Sequence, residues 1–402
     1  MVNGSPETME LRARVRTWLS ERAVPRSAEA PDVRRGHEDL DSARTWQRLK
    51  FAGGWAGLTW PKEFGGQGRP MIDQIVWDQE ASSFDVPEEV FIVSTMLAGP
   101  TIIDVGTDEQ RATHLPAILR GDEIWCQLFS EPGAGSDLAG VSSRAVRRDD
   151  AWVVSGQKVW SSGAHYADWG LLLARSDLTA PKHAGMSMFL VDMRTPGVTV
   201  RPIRQITGAQ HFNEVFLDEV VIPDSGRIGL PGDGWKVALI TLQHERLGLI
   251  SRRRVELDAL RKLVMQSRRD GCKAMEDDFV RQEFADIWMR ADALQLLAER
   301  TLRIIAQGGV PGAEGSIGKL GGAQLLNRMG RFATDLLGPA VMLDSPDAPE
   351  CGRWQFEFLD ATARRIAGGS DEIQRNIIAE RILGLPRGAA AVRESTRGGD
   401  PS

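Results

Sequence analysis

The hydrophobic period of this chain changes twice, and that constrains the fold more than any single motif does. From about residue 7 to 123 the apolar residues recur at helix spacing, as with Leu11, Val15, Trp18 and Leu19 in MELRARVRTWLSERAV. The Pro- and Gly-rich WPKEFGGQGRP (60–70) interrupts this stretch as a turn-rich connection. From about 124 to 223 the period is two. WCQLFS, RAVRR, AWVVS, KVWSS, GLLLARS, SMFLVDM, VTVRPI and NEVFLDEVVIP read as short strands separated by turns such as Asp149-Asp150 and Thr195-Pro196-Gly197. After Gly232-Asp233-Gly234 the helical period returns: one long segment from about Trp235 to Arg269, two more near 278–307 and 316–337, and a last near 370–383, stopped by Gly384 and Pro386. The predicted fold is α+β and multidomain: a helical domain at 1–123, an antiparallel β-barrel or sandwich at 124–231 and a helical domain at 232–402.

A chain of 402 residues exceeds one ordinary core, which agrees with several packed units. The net charge of −6 gives no electrostatic reason to expect nucleic acid or an anionic membrane as partner. The polar N-terminus has no apolar signal core, and no stretch approaches a membrane span, so a cytoplasmic protein is expected. Cys126, Cys272 and Cys351 lack CxxC spacing and read as reduced thiols. With six scattered His, no metal site is expected. Trp outnumbers Tyr 12 to 1, which the sequence does not explain.

Four segments carry possible chemistry. FSEPGAGSD (129–137) follows a strand and exposes backbone N–H groups and the hydroxyls of Ser130 and Ser136, which suits a polar cofactor edge or phosphate as well as a plain tight turn. In GQKVWSSG (156–163) the indole of Trp160 lies beside Ser161 and Ser162, a pairing that fits a flat heteroatom-rich ring or simply fills a β core. In WKVALITLQHERLGLI (235–250), Ala238, Leu242, Glu245 and Leu249 share one helix face, so a carboxylate interrupts an apolar stripe. Such a group is either neutralised by an ion pair or tuned by desolvation to act as a general base. In IAGGSDEIQRN (366–376), Gly368-Gly369 precede Ser370, a capping residue, with Asp371 and Glu372 in the first helical turn; the N–H groups there cap a helix or hold a polarised oxygen. G-x-G-x-x-G after a strand, H-E-x-x-H, G-x-x-x-x-G-K-[ST] and G-x-S-x-G are all absent from the sequence.

In this order and spacing these segments resemble the acyl-CoA dehydrogenase family over nearly the whole chain. The matching blocks are GWAGLTWPKEFGGQG (54–68), CQLFSEPGAGSDLAG (126–140), WVVSGQKVWSSGAHYADW (152–169), GWKVALITLQHERL (234–247) and GGSDEIQRNIIAERILGLPR (368–387). The resemblance implies a C-terminal four-helix bundle and FAD held between the β domain and that bundle, partly by a neighbouring subunit. Gln127, Leu128, Ser130, Gly135, Ser136, Trp160, Ser161, Ser162, Ser370 and Glu372 match the family's flavin contacts, and Ser136 and Arg246 match positions lining the acyl-CoA channel.

Two departures refine the expectation. Many relatives place the catalytic Glu where this chain has Gly368; a smaller group carries it on the bundle helix, in a pair matching Glu245-Arg246. The implied base is therefore Glu245, taking the α proton of an acyl thioester while hydride passes to flavin N5 and the Gly368 N–H polarises the carbonyl, giving a trans-2-enoyl-CoA. The Arg-x-x-Phe-Gly stretch with which relatives reach the neighbour's FAD is missing from 266–290, where Arg281 and Gln282 are the nearest candidates. This combination resembles an actinobacterial-type branch that handles bulky or ring-bearing thioesters in fatty acid or sterol side-chain degradation. The implied partners are an acyl-CoA, an electron-transfer flavoprotein and further subunits, as a homodimer, a tetramer or a mixed oligomer with a related chain. The alternatives are a non-catalytic or half-catalytic subunit, a nitroalkane-oxidase-like enzyme, or a two-component flavin-dependent hydroxylase. The last expects a His near the ring; His244 sits in the right segment but points about 100° from Glu245 on an ideal helix.

Overall fold

The computed structural model describes residues 6–26, 39–248, 254–269, 271–306, 309, 312–343 and 348–386. The N-terminal part holds helices α1 (Pro6–Ser20), α2 (Leu40–Ala52), α3 (Met71–Ala81), α4 (Gly99–Val105) and α5 (Asp108–Arg120), with two short paired strands, β1 (Val24–Pro25) and β2 (Phe84–Asp85). Local chemistry sets the helix starts. Asp39 accepts from the Ser42 N–H at the head of α2, and Thr107 and Gln110 form a reciprocal capping box on α5. A π-helical turn, Val93–Ala98, runs straight into α4.

The Trp excess has a structural place here. Trp18, Trp46, Trp55 and Trp77 pack as one aromatic cluster joining α1, α2 and α3, with Trp55 and Trp77 stacked at 5.3 Å. A second group, Trp125 and Trp169, stacks around His114, whose Nδ1 lies 3.0 Å from Glu123.

The middle of the chain forms one eight-stranded sheet: β3 (Trp125–Leu128), β4 (Arg144–Arg148), β5 (Ala151–Lys158), β6 (Trp169–Arg175), β7 (Met186–Asp192), β8 (Val198–Ile203), β9 (Phe212–Pro223) and β10 (Arg227–Ile228). The order is β10-β7-β6-β4-β5-β9-β8, with β3 beside β6. Two expectations need correction. The sheet is not purely antiparallel, because β3 runs parallel to β6, entering from α5 rather than by a hairpin. KVWSS is not a strand: β5 ends at Lys158, where Trp160 turns into the left-handed region at φ +62. Both faces of β6 and β7 are covered, so these strands are apolar almost throughout. Leu171, Leu173, Met188 and Leu190 face one core, shared with the N-terminal helices and the next helix; Leu172, Ala174, Phe189 and Val191 face a second.

Helices α6 (Gly234–Gly248) and α7 (Arg254–Gln266) follow, then a hairpin of β11 (Arg268–Arg269) and β12 (Cys272–Lys273), and helices α8 (Asp278–Ala306), α9 (Glu314–Leu337), α10 (Arg353–Arg364) and α11 (Asp371–Arg381). The expected long segment from Trp235 to Arg269 appears as α6 and α7, and its residues 249–253 lie outside the described part. Helix α10 was not anticipated, although its sequence is clearly amphipathic; it buries Trp354, Phe356, Glu357, Asp360 and Ala361. Trp354, Phe332, Met329 and Ile287 lie in the bundle core. Among the described residues no helix is long and apolar enough to cross a membrane, and no group of three His, Cys, Asp or Glu is placed to hold a metal.

Candidate functional site

Strand β3 brings the first expected segment to the sheet. By strand alternation Cys126 and Leu128 enter the core on one face, while Trp125 belongs to the core on the other. Gln127 therefore lies on the Trp125 face, in register with Leu171, which also belongs to that core. Val237, Ala238 and Leu242 of α6 pack into the same core, so the helix carrying Glu245 covers the sheet face that carries Gln127. Leu128 is wholly buried, so its side chain serves the core and any ligand contact it makes is through its backbone.

The loop after β3 is tied back to itself and to the end of β5. Glu131 and Ala134 exchange two backbone hydrogen bonds, and the Val159 N–H donates to Ser130 O at 2.9 Å. Inside the turn lies an ion pair that the sequence reading missed: Lys158 Nζ sits 2.7 Å from Glu131 Oε1, with the Lys side chain entirely inaccessible. Burial alone would raise the Glu131 carboxyl. The Lys158 ammonium and hydrogen bonds from Ser143 and Ser142 outweigh that and bring it down to about 2. No local sequence signal announces the pair, because its members stand 27 residues apart.

Beyond the loop, Gly135 and Ser136 are exposed, and a Cβ added at Gly135 would meet nothing within 4 Å. Asp137 pairs with Lys182 at 2.5 Å. Trp160 is 57% exposed although its chain neighbours Val159 and Ser161 are buried. Ser161 is held by its N–H to Asn213 O at 3.1 Å and by Asn213 Nδ2 to its own carbonyl at 2.9 Å. Ser162 is half-buried beside it.

Two buried side-chain polar atoms in these segments have no hydrogen-bond partner among the described residues: Gln127 Nε2 and Ser161 Oγ. Unpaired buried polar atoms are costly and uncommon. An amide donor, a hydroxyl, an exposed indole and open space at Gly135 make a set suited to a flat ring bearing acceptors and donors on its edge. The residues present thus fit the isoalloxazine and the polar arm of FAD.

On α6, Glu245 is half-buried, one turn beyond the buried Thr241. Thr241 Oγ1 shares a 2.9 Å hydrogen bond with Thr101 of α4, and His244 Nε2 lies 2.8 Å from Asp104 of the same helix. The imidazole is thereby committed to α4. Arg246 follows on the helix, but its side chain lies outside the described residues.

The Gly368-Gly369 turn is left-handed at both residues, φ +65 and +91. Gln374 Nε2 donates to both carbonyls, at 3.0 and 3.3 Å, which fixes the turn from below. Ser370 caps α11, and Arg365 pairs with the buried Asp371 at 2.8 Å. Glu372 is exposed; hydrogen bonds from its own backbone N–H and from Ser370 hold its carboxyl below the usual range. Within the stretch 266–290, β11 and β12 form a short hairpin pairing Arg268 with Lys273 and Arg269 with Cys272. Arg281 is spent on Asp278 and on Met275 O, and Gln282 is exposed. A cavity of about 700 Å³ opens elsewhere, between α8, α9 and α10; it is lined by Glu283, Arg328, Arg331, Asp335 and Phe358 among others, and by none of the expected flavin residues.

Comparison with known proteins gives the arrangement its context. The acyl-CoA dehydrogenase N-terminal, middle and C-terminal domain models match residues 5–122, 126–220 and 232–383. The chain is 40% identical over 386 residues to the acyl-CoA dehydrogenase IpdE1 of Mycobacterium tuberculosis, covering 94% of this chain and 98% of that one. Among solved structures, the Tcur3481-Tcur3483 steroid ACAD superposes with a TM-score of 0.83 at 30% identity, over 96% of this chain and 100% of the other. The ChsE4-ChsE5 complex from Mycobacterium tuberculosis gives 0.80 at 31% identity, again over 96% and 100%. With all three domain models matched along its length, the chain belongs to the acyl-CoA dehydrogenase family and is an enzyme of that family.

Proposed function

We propose that this enzyme carries out FAD-dependent α,β-dehydrogenation of a bulky, ring-bearing acyl-CoA, with Glu245 as the base. The observation that carries the reading is the placement of Glu245 on α6, over the sheet face where Gln127 keeps a buried amide donor without a partner. Similarity to a protein described as a steroid ACAD favours a sterol-derived thioester over a straight chain. The domain division at 123/124 and 231/232 is part of the same proposal.

When bound, FAD supplies the hydride acceptor for the β-hydrogen. The chain's own residues do the rest. Gln127 and Ser161, whose buried polar atoms lack partners among the described residues, would hold the flavin together with Trp160, while Ser130, Gly135, Ser136, Ser370 and Glu372 would contribute polar contacts and Leu128 would contribute through its backbone. The Gly368 N–H polarises the thioester carbonyl, a task that needs no side chain. Glu245 removes the α proton, whose acidity that polarisation raises. Arg246 and Ser136 line the path of the CoA arm, an electron-transfer flavoprotein reoxidises the enzyme, and further subunits complete the assembly.

The chain purified by itself is expected to be yellow, with about one FAD per polypeptide by absorbance after denaturation. A colourless protein that gains colour only on mixing with a related subunit would replace this reading by the half-catalytic one.

A further inference from the structure

The two flavin-facing segments, 127–136 and 160–162, are far apart in sequence, and the side-chain link between them is buried. Lys158 Nζ donates to Glu131 Oε1 at 2.7 Å and to Phe129 O at 3.1 Å. Glu131 Oε1 also accepts from the Ser143 N–H at 3.0 Å, and Oε2 accepts from the Ser142 N–H and hydroxyl at 2.6 and 2.7 Å. One carboxylate thus gathers the start of the loop, its exit and the end of β5. Trp160 lies two residues past Lys158 in a left-handed conformation that L side chains resist. It is held there from both sides: Val159 is tied to Ser130, and Ser161 to Asn213.

Stability alone does not call for charges at this place. An apolar pair of the same volume often packs as well as a buried ion pair, whose desolvation offsets its attraction. What an ion pair with four further hydrogen bonds, to Phe129, Ser142 and Ser143, adds is a fixed geometry. We propose that the Lys158–Glu131 pair is a positioning element, which sets the Ser130–Ser136 loop against Trp160 and Ser161 and thereby determines how tightly the chain holds its flavin. Neither residue touches the ring in this account; both act through the segments they join. The inference rests on the FAD reading above.

The test compares wild type with Lys158→Met, Glu131→Gln and the double variant, following the melting temperature, the visible flavin spectrum and the rate at which FAD leaves on dilution. Lys158→Met alone strands a buried carboxylate and melts early. The double variant removes both charges at nearly constant volume and regains most of the melting temperature. Its FAD nevertheless leaves at least about tenfold faster than from wild type, with a shifted visible band. A double variant with native melting and native FAD release would make the pair a structural device only, and overturn the proposal. Should the double variant not fold, Glu131→Gln, which keeps the shape, decides alone: unchanged release sinks the idea, faster release at near-native melting supports it. A wild-type chain that binds no FAD under any condition overturns the functional reading first, and this inference with it.

Discussion

Glu245→Gln is expected to keep FAD in place and to slow acyl-CoA-driven flavin reduction by about a thousandfold, the scale of losing a positioned general base. Glutamine keeps the size and hydrogen-bonding reach of the side chain, so the half-buried position on α6 and the packing of Val237, Ala238 and Leu242 beneath it are undisturbed. Only the basic oxygen is lost. Since the proton leaves in the transition state and not on binding, the loss falls on kcat, while the binding of a non-reacting thioester stays within a factor of about three. His244 offers no substitute base, because it is held by Asp104 on α4. Rapid-mixing absorbance under anaerobic conditions measures both quantities, and undiminished reduction in the variant would remove Glu245 from the chemistry.

Trp77→Ala is expected to destabilise the N-terminal helical part by about 3–5 kcal/mol, the usual cost of truncating a buried large aromatic. The ring is 0% exposed, stacks on Trp55 at 5.3 Å and lies 5.5 Å from Trp18. Its Nε1–H donates to Glu88 Oε1 at 3.0 Å, and Lys50 Nζ reaches the same carboxylate at 2.6 Å while sitting 4.9 Å above the indole. Truncation opens a cavity and takes one donor from a half-buried carboxylate. The urea midpoint of the near-ultraviolet circular dichroism signal reports the change. Met9→Ala, on the exposed side of α1, shifts it by less than about 0.5 kcal/mol. Equal midpoints for the two variants would contradict the packing account.

Much of the architecture was legible because hydrophobic period reports which face of an element is covered. The switch from spacing of three and four to spacing of two marks the sheet, and the Gly- and Pro-rich stops mark several helix ends. Failures came mainly where pairing is not local. Helix α10 is an exception, since its amphipathic period is plain in the sequence and was passed over. The parallel neighbour of β3 lies more than 40 residues on, and strand pattern carries no information about direction. KVWSS has strand composition, yet Trp160 leaves the extended region. Four of the 12 Trp form the cluster around α1–α3, a tertiary feature with no linear signal.

The candidate site divides in the same way. Motif blocks put Gln127 on β3, Ser161 just past β5, Glu245 on α6 and Gly368 in the turn before α11. Composition did not show that Leu128 is consumed by the core, that Gln374 braces the Gly368-Gly369 turn from six residues away, or that Lys158 and Glu131 join two loops from within. Each of these depends on tertiary contact, which a linear pattern does not encode.

The central claim, that the helix bearing Glu245 covers a flavin-holding face built for thioester oxidation, is tested most directly by anaerobic titration of the purified enzyme with a panel of acyl-CoAs. The account predicts that the oxidised flavin band bleaches on adding a ring-bearing acyl-CoA, more completely than with straight-chain thioesters, and that an enoyl-CoA is recovered. A flavin band left unchanged by every thioester, with oxygen consumed in their absence, would contradict it.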